Sequence, residues 1–381
     1  KIKMKKFALL IPAIIALIVC SACFHKGVTD AEAMPGDTLS MRYAHYVSIV
    51  KYPDFIKADV RNPWDTTRVL HTYVLVEKSK SLPDSLPKGT VVRTPLSKSL
   101  VYSSVHCSLL SELGAEDAIG GVCDLSYISL PFIQEGCRQG KITDAGNSMN
   151  PTIEKVIEMQ PDAILLSPFE NSGGYGRIEK LGIPIIECAD YMELSPLGRA
   201  EWMRFFGLLY GKEAVADSLF NGVESAYCSL RYKVKDVKER KTVFSELKSS
   251  SAWYVPGGKS TMARLFADAG ADYIFSDTQQ SGSIPLSFET VLDRAQKADF
   301  WLIKYNQSKD KTYSELKSDY EPYTRFEAYK KRCIYGCNTG RILFYENTPF
   351  HPERLLKDLI SVFYPEKLEG YVPVYFSKLA E

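Results

Sequence analysis

From residue 91 onward the apolar positions fall into short runs separated by stretches of helical period. Leu100-Val101-Tyr102 and residues 118–122, 162–166 and 183–186 are compact apolar runs that read as buried strands. Between them, Leu109, Leu110 and Leu113 mark a helix ended by Gly114, and residues 151–159 and 175–180 read as two more helices. A second stretch of this kind begins at 242, with strands expected at 242–244, 273–275, 300–303 and 341–344 and helices at 263–269 and 288–295. Strands alternating with helices predict a parallel sheet covered on both faces. A helical stretch separates the two halves. Pro196 stands as a first-turn proline behind the cap Ser195, and Gly211 interrupts the pattern. Then Val215, Leu219, Val223, Ala226, Leu230, Val234 and Val237 recur at spacings of 4, 4, 3, 4, 4 and 3. That stripe predicts a helix over much of 212–237. Upstream, residues 41–80 alternate with period two, most clearly in His71-Thr72-Tyr73-Val74-Leu75-Val76, and residues 81–90 read as a loop.

The expected fold class is therefore α/β. Two Rossmann-like lobes with parallel sheets are joined by one long helix and preceded by a β extension. The bounds are 41–90 for the extension, packed on the first lobe, 91–195 for the N-terminal lobe, 196–238 for the connecting helix and 239–381 for the C-terminal lobe. The lobes echo each other in sequence. Leu113-Gly114-Ala115-Glu116-Asp117 parallels Ala269-Gly270-Ala271-Asp272-Tyr273. Pro151-Thr152-Ile153-Glu154, Val156-Ile157 and Asp162 parallel Pro285-Leu286-Ser287-Phe288-Glu289, Val291-Leu292 and Asp299.

The beginning of the chain follows different rules. Lys1, Lys3, Lys5 and Lys6 precede an apolar run over 7–19, too short to span a bilayer comfortably. Ser21-Ala22-Cys23 then places small residues before a cysteine, the pattern of a signal peptide over 1–22, with Met4 as candidate start. Cys23 is the expected lipidation site, preferred to Cys20, which follows the bulky Val19. Residues 23–40 read as a lipid-anchored tether. Loss of the four lysines takes the net charge from +1 to about −3. With 47 basic against 46 acidic residues, no global charge points to nucleic acid.

The chemistry that is missing narrows the function. Gly257-Gly258-Lys259-Ser260-Thr261 hints at a phosphate loop, but Trp253 stands where its first glycine belongs. No hydrolase elbow follows a strand, and no H-E-x-x-H occurs. Cys333-x3-Cys337 lacks a second pair or a nearby histidine, so no zinc site is expected. Seven cysteines follow Cys23, an odd number without the look of a disulfide framework. Aromatic residues reach 12%, with 23 Tyr and 18 Phe, a supply that suits a flat or greasy ligand.

Three groups of motifs carry a resemblance. They are Gly140-Lys141-Ile142-Thr143-Asp144-Ala145-Gly146 with Asn150-Pro151-Thr152-Ile153-Glu154 and Gln160-Pro161-Asp162; Trp253-Tyr254-Val255-Pro256-Gly257-Gly258 with Pro285-Leu286-Ser287-Phe288-Glu289; and His351-Pro352-Glu353 through Tyr364-Pro365-Glu366. Over about 91–378 the chain resembles the periplasmic substrate-binding lipoproteins of iron-chelate and cobalamin ABC importers, the binding proteins with a helical backbone (class III). The resemblance implies a non-enzymatic monomer with no cofactor of its own. It would hold a metal complex (siderophore, haem or corrinoid) between its lobes and hand it to an ABC permease dimer from the cell envelope. It also implies that Glu154 and Glu289, one per lobe, meet permease arginines. Its ligand cleft lies among loops after strands, and there Tyr127, Phe169, Tyr175, Trp253, Tyr254 and Tyr305 are the candidate ligand-contacting rings. His106, Arg264 and Lys304 are weaker candidates, read first as core or surface residues.

Overall fold

The computed structural model describes residues 35–170 and 174–381, so the expected signal peptide, Cys20 and Cys23 lie outside the described residues. A five-stranded sheet comes first: Asp37–Leu39, Val47–Lys51, Ile56–Arg61, Val69–Glu77 and Thr90–Thr94, in chain order. Its first three pairings are antiparallel and its last is parallel. The sheet thus runs past the expected boundary at 90, because Val91 and Val92 pair with Val74 and Leu75.

The N-terminal lobe is a parallel sheet in the order Ile185–Glu187, Ala163–Leu166, Ser99–Val101, Ile119–Val122, Thr143–Asp144. Its strands are apolar on both faces because both are covered. Ala163 and Leu165 join the main core, whereas Ile164 and Leu166 join a second cluster with Ile153, Val156 and Ile178. The C-terminal lobe repeats the design with Ile334–Asn338, Phe300–Tyr305, Lys241–Ser245 and Ala271–Tyr273, all parallel, plus an antiparallel edge at Ser377–Lys378. A three-stranded antiparallel ribbon of Lys248–Ser249, Ala252–Pro256 and Ser283–Leu286 is added to it.

Four sequence expectations change. Residues 341–344 are not a strand. The chain turns there and enters the helix Phe344–Asn347, while the strand is Ile334–Asn338, whose Gly and Cys positions hide its apolar character. Residues 175–180 form only the short 3-10 turn Ile178–Leu181. The connection between lobes is not one helix over 196–238. Pro196–Glu201 and Met203–Tyr210 come first, Gly211 ends the second with φ +64°, and the 21-residue helix Glu213–Lys233 follows. The expected apolar stripe is also rotated. Ala216, Phe220, Val223, Tyr227, Leu230 and Val234 are buried, whereas Val215 is 44% exposed. Phe220 and Tyr227 carry more area to bury than Leu219 and Ala226 beside them, and they set which face turns inward.

The extension is sewn to the lobe by charge as well as by packing. Backbone N–H groups of Arg42, Tyr43 and Ala44 donate to the buried Glu201 carboxylate, and those of His45 and Tyr46 donate to buried Glu193. Trp202 Nε1 adds a 3.0 Å bond to Glu193. Burial still pushes the Glu193 carboxyl above its ordinary value, against these donors. Tyr73 Oη donates to Ile185 O at 3.0 Å and accepts from Glu187 N at 2.8 Å, which covers the edge strand of the lobe sheet.

Candidate functional site

Open parallel sheets bind ligands beyond the carboxyl ends of their strands. In the N-terminal lobe these ends surround a cavity of about 380 Å3 and an adjoining bay of about 400 Å3. Tyr102 follows the strand Ser99–Val101, Tyr127 follows Ile119–Val122, and Leu166 and Phe169 lead out of Ala163–Leu166. Met149 and Tyr175 complete the wall. Tyr127 is 81% and Phe169 44% exposed, so both rings are open to contact. Two larger hollows of about 590 Å3 each lie along the helix Glu213–Lys233, but no strand end opens into them.

Local backbone chemistry shapes the cavity. After the strand Ile119–Val122, Asp124 adopts φ +52°, a conformation that Asp tolerates better than most residues. Its N–H donates to Gly146 O at 2.7 Å and its carboxylate accepts from Ser148 N at 3.2 Å. Gly174 has φ +100°, and a Cβ there would come within 2.8 Å of the Glu179 carboxylate. Glu179 instead accepts the Tyr175 N–H at 2.5 Å. The Tyr175 hydroxyl donates to Glu187 Oε1 at 2.7 Å. Burial, then the Glu187 carboxylate, holds the Tyr175 phenol well above its ordinary value. Burial first, and then neighbouring Asp124, pushes the Cys123 thiol up to about 12, so it meets the cavity as an inert, neutral group.

Of the six candidate rings, Tyr127, Phe169 and Tyr175 line this cavity together. Trp253 does not belong with them. It is fully buried among Phe244, Phe288, Trp301, Tyr323 and Phe326, and its Nε1 donates to Ser245 O at 3.1 Å. Residue 253 lies inside the strand Ala252–Pro256 rather than in a loop, and period two turns Trp253 inward and Tyr254 outward, 51% exposed. Tyr305 is half-buried within its own lobe, where its hydroxyl accepts from Lys311 N at 3.0 Å. Neither Tyr254 nor Tyr305 lines the N-lobe cavity.

His106 is a core residue, 1% exposed, bonded through Nε2 to buried Asp190 at 2.9 Å. Burial opposes the charge on Asp190, yet His106 and Arg199 hold its carboxyl below the ordinary value. Lys304 pairs with Glu246 at the strand ends of the C-terminal lobe. Burial would lower the ammonium, and the Glu246 carboxylate outweighs it, so Lys304 stays charged. Arg264 pairs with Asp268 four residues on. Sequence reasoning missed Glu187 and Glu246 because their partners lie far away in the chain.

Glu154 and Glu289 occupy matching places. Each is the second residue of its helix, Ile153–Met159 and Phe288–Ala295, after a buried apolar first residue. The Glu154 side chain is 77% exposed, with Arg177 at 3.8 Å, and Glu289 is exposed as well. Among the described residues, no group of three His, Cys, Asp or Glu is placed to hold a metal ion, and all seven cysteines are unpaired. Nor is any described helix long and apolar enough to cross a membrane.

An uncharacterized lipoprotein of Methanocaldococcus jannaschii is 29% identical over 296 residues, 76% of this chain and 70% of the relative. An uncharacterized ABC transporter substrate-binding lipoprotein of Bacillus subtilis is 26% identical over 157 residues, 40% of this chain and 48% of that protein. The fold is similar to that of the periplasmic haem-binding protein of Vibrio cholerae (TM-score 0.56, 17% identity, 71% of this chain and all of that one). It is also similar to that of the periplasmic vitamin B12-binding protein of the same organism (TM-score 0.54, 14% identity, 72% and 99%). The two-lobed architecture, its strand-end cavity and a periplasmic binding protein family model matching residues 101–339 lead to one assignment: the chain belongs to the periplasmic binding protein family, whose members bind solutes and are not enzymes.

Proposed function

We propose that this protein captures a large metal complex, an iron chelate (siderophore or haem) first, and delivers it to an ABC permease dimer. The observation that carries the reading is the set of three exposed or half-buried rings, Tyr127, Phe169 and Tyr175, around one strand-end cavity. Rings of that kind pack on flat or bulky organic ligands, each worth about 0.5–1.5 kcal/mol beyond area burial. A corrinoid is the second reading, favoured by the fold shared with a vitamin B12-binding protein. Titration of the purified protein with haemin, cyanocobalamin and ferric siderophores, followed by absorption, tests the class. Saturable binding of none of them overturns the reading.

Glu154 and Glu289 serve in this reading as docking carboxylates, each taking a forked arginine of the permease. Both are exposed and lie on the two lobes at equivalent helix starts. Breaking a desolvated interface pair costs about 2–5 kcal/mol. Glu154→Arg with Glu289→Arg therefore abolishes uptake while solute affinity in isolation stays within about twofold. Unchanged uptake would identify a surface capture lipoprotein that works without a permease, or another docking face. Lipid on Cys23 would hold the body at the envelope. Cys23→Ser then releases it, and continued labelling by fatty acid would move the site to Cys20.

A further inference from the structure

The matched family segment begins at residue 101, and the five-stranded extension over 37–94 lies wholly outside it. A chain of hydrogen bonds nevertheless runs from that extension to the ligand cavity. In the strand Val69–Glu77, period two turns His71 and Tyr73 to one face, stacked at 4.5 Å with 15° between their planes. Tyr73 fixes the backbone of the lobe's edge strand at Ile185 and Glu187. His71 Nδ1 lies 3.1 Å from Glu187 Oε2, and its Nε2 lies 2.7 Å from Thr90 Oγ1, also in the extension. The other oxygen of the same carboxylate, Oε1, accepts from the Tyr175 hydroxyl. The Glu187 side chain is only 10% exposed. Its two oxygens are thus divided between the extension and a ring of the cavity wall. A neutral imidazole satisfies the whole arrangement, donating from Nδ1 to the carboxylate and accepting the Thr90 hydroxyl at Nε2.

We infer that the extension is part of the binding machinery, with His71 a positioning residue that sets Tyr175 in the cavity wall through Glu187. The inference rests on the solute-binding reading above. It accounts for the position of the Tyr175 ring, whose hydroxyl is tied to a carboxylate that is held from behind. A histidine that merely stabilised the extension would leave the cavity loop unchanged when removed.

The test compares His71→Ala, His71→Gln, Tyr175→Phe and the double variant His71→Ala/Tyr175→Phe in the full mature chain. Hydrogen exchange needs no ligand. In His71→Ala the amides of 174–179 should exchange about tenfold faster, while those of Ala163–Leu166 stay unchanged. His71→Gln, which keeps a donor, should restore most of the protection. Affinity is then read with whichever of haemin, cyanocobalamin and a ferric trihydroxamate saturates the unaltered protein. His71→Ala should weaken that probe by about three- to tenfold, and the double variant no more than Tyr175→Phe alone. Unchanged exchange in the loop overturns the inference, and so does a loosened loop with unchanged affinity. Equal further losses in the double variant would make His71 a structural residue only. Should no probe bind the unaltered protein, the solute reading falls, and the exchange comparison by itself decides whether the extension holds Tyr175.

Discussion

The two lobes are built from one plan and finished differently. Ile185–Glu187, Ala163–Leu166, Ser99–Val101 and Ile119–Val122 stand in the same order as Ile334–Asn338, Phe300–Tyr305, Lys241–Ser245 and Ala271–Tyr273. Shared sequence elements do the same physical work in both. Gly114 and Gly270, with φ of +65° and +80°, each follow the first helix of their lobe and turn the chain toward the next strand. Asp162 and Asp299 precede the strands Ala163–Leu166 and Phe300–Tyr305 and accept backbone N–H groups at the start of the neighbouring strand, from Ser97 and Lys98 in one lobe and Thr242 in the other. The carboxyl ends differ. In the N-terminal lobe they leave a cavity lined by exposed rings. In the C-terminal lobe Glu246 pairs with Lys304 at the ends of the corresponding strands, and Trp253 and Trp301 pack into a core with Phe244, Tyr323 and Phe326, while Tyr254 stays exposed. A duplicated frame thus carries an open strand-end cavity in one copy and an ion pair at the strand ends in the other. This is what is expected when the frame sets stability and the strand-end loops set function.

The contrast breaks first at Trp253. Its replacement by Ala should cost about 3–5 kcal/mol of unfolding free energy, measured by urea denaturation. A cost near that of an exposed ring would mean that the C-terminal core is loose enough to lend Trp253 to the cleft. Lys304→Met should cost about 3 kcal/mol by stranding the Glu246 carboxylate, and adding Glu246→Gln should recover most of it. A double variant no better than the single would show that the two groups are not coupled.

Asp162→Ala and Asp299→Ala sharpen the likeness. Each should lose about 0.5–1.5 kcal/mol by taking the acceptor from the N–H groups at the strand start, and very unequal losses would argue against equivalent roles. Asp162 also has a pH signature. Burial raises its carboxyl, but Lys78 and the Ser97 and Lys98 N–H groups outweigh that and hold it below the ordinary value. Its stabilisation is therefore present above the usual carboxylate range and lost as pH falls through its lowered value. The gap in urea midpoint between wild type and Asp162→Asn should accordingly shrink below about pH 4. A gap constant from pH 7 to 3 would contradict the assignment. Tyr127→Ala, at an 81% exposed ring, should change stability by no more than about 0.5 kcal/mol, and a larger loss would remove it from the open face.

Much of this plan is legible in the chain because it rests on local rules. Parallel-sheet strands buried on both faces are continuous apolar runs, and seven of the eight expected in the lobes lie at or within two residues of their places. The eighth fails at residues 341–344, since Tyr335-Gly336-Cys337-Asn338 pairs through its backbone and reads as nothing in particular. Glu154 and Glu289 are legible as a pair because each follows the same helix-start pattern. Trp253 is misread because loop and strand cannot be told apart in Ser251-Ala252-Trp253-Tyr254, where one residue of phase decides between core and surface.

Periodicity and sequence echo specify the two α/β halves, the helix between them and the twin glutamates, because neighbours three, four or two residues apart share a face whatever surrounds them. Folding alone assigns the partners that no spacing encodes. Glu187 is divided between His71 and Tyr175, 116 residues before it and 12 residues before it. Glu246 meets Lys304 across 58 residues, and Glu201 collects N–H groups from the extension nearly 160 residues away. Such groups are ordinary surface carboxylates in sequence. Burial makes each of them require a donor, and only the packed chain determines which donor is within reach.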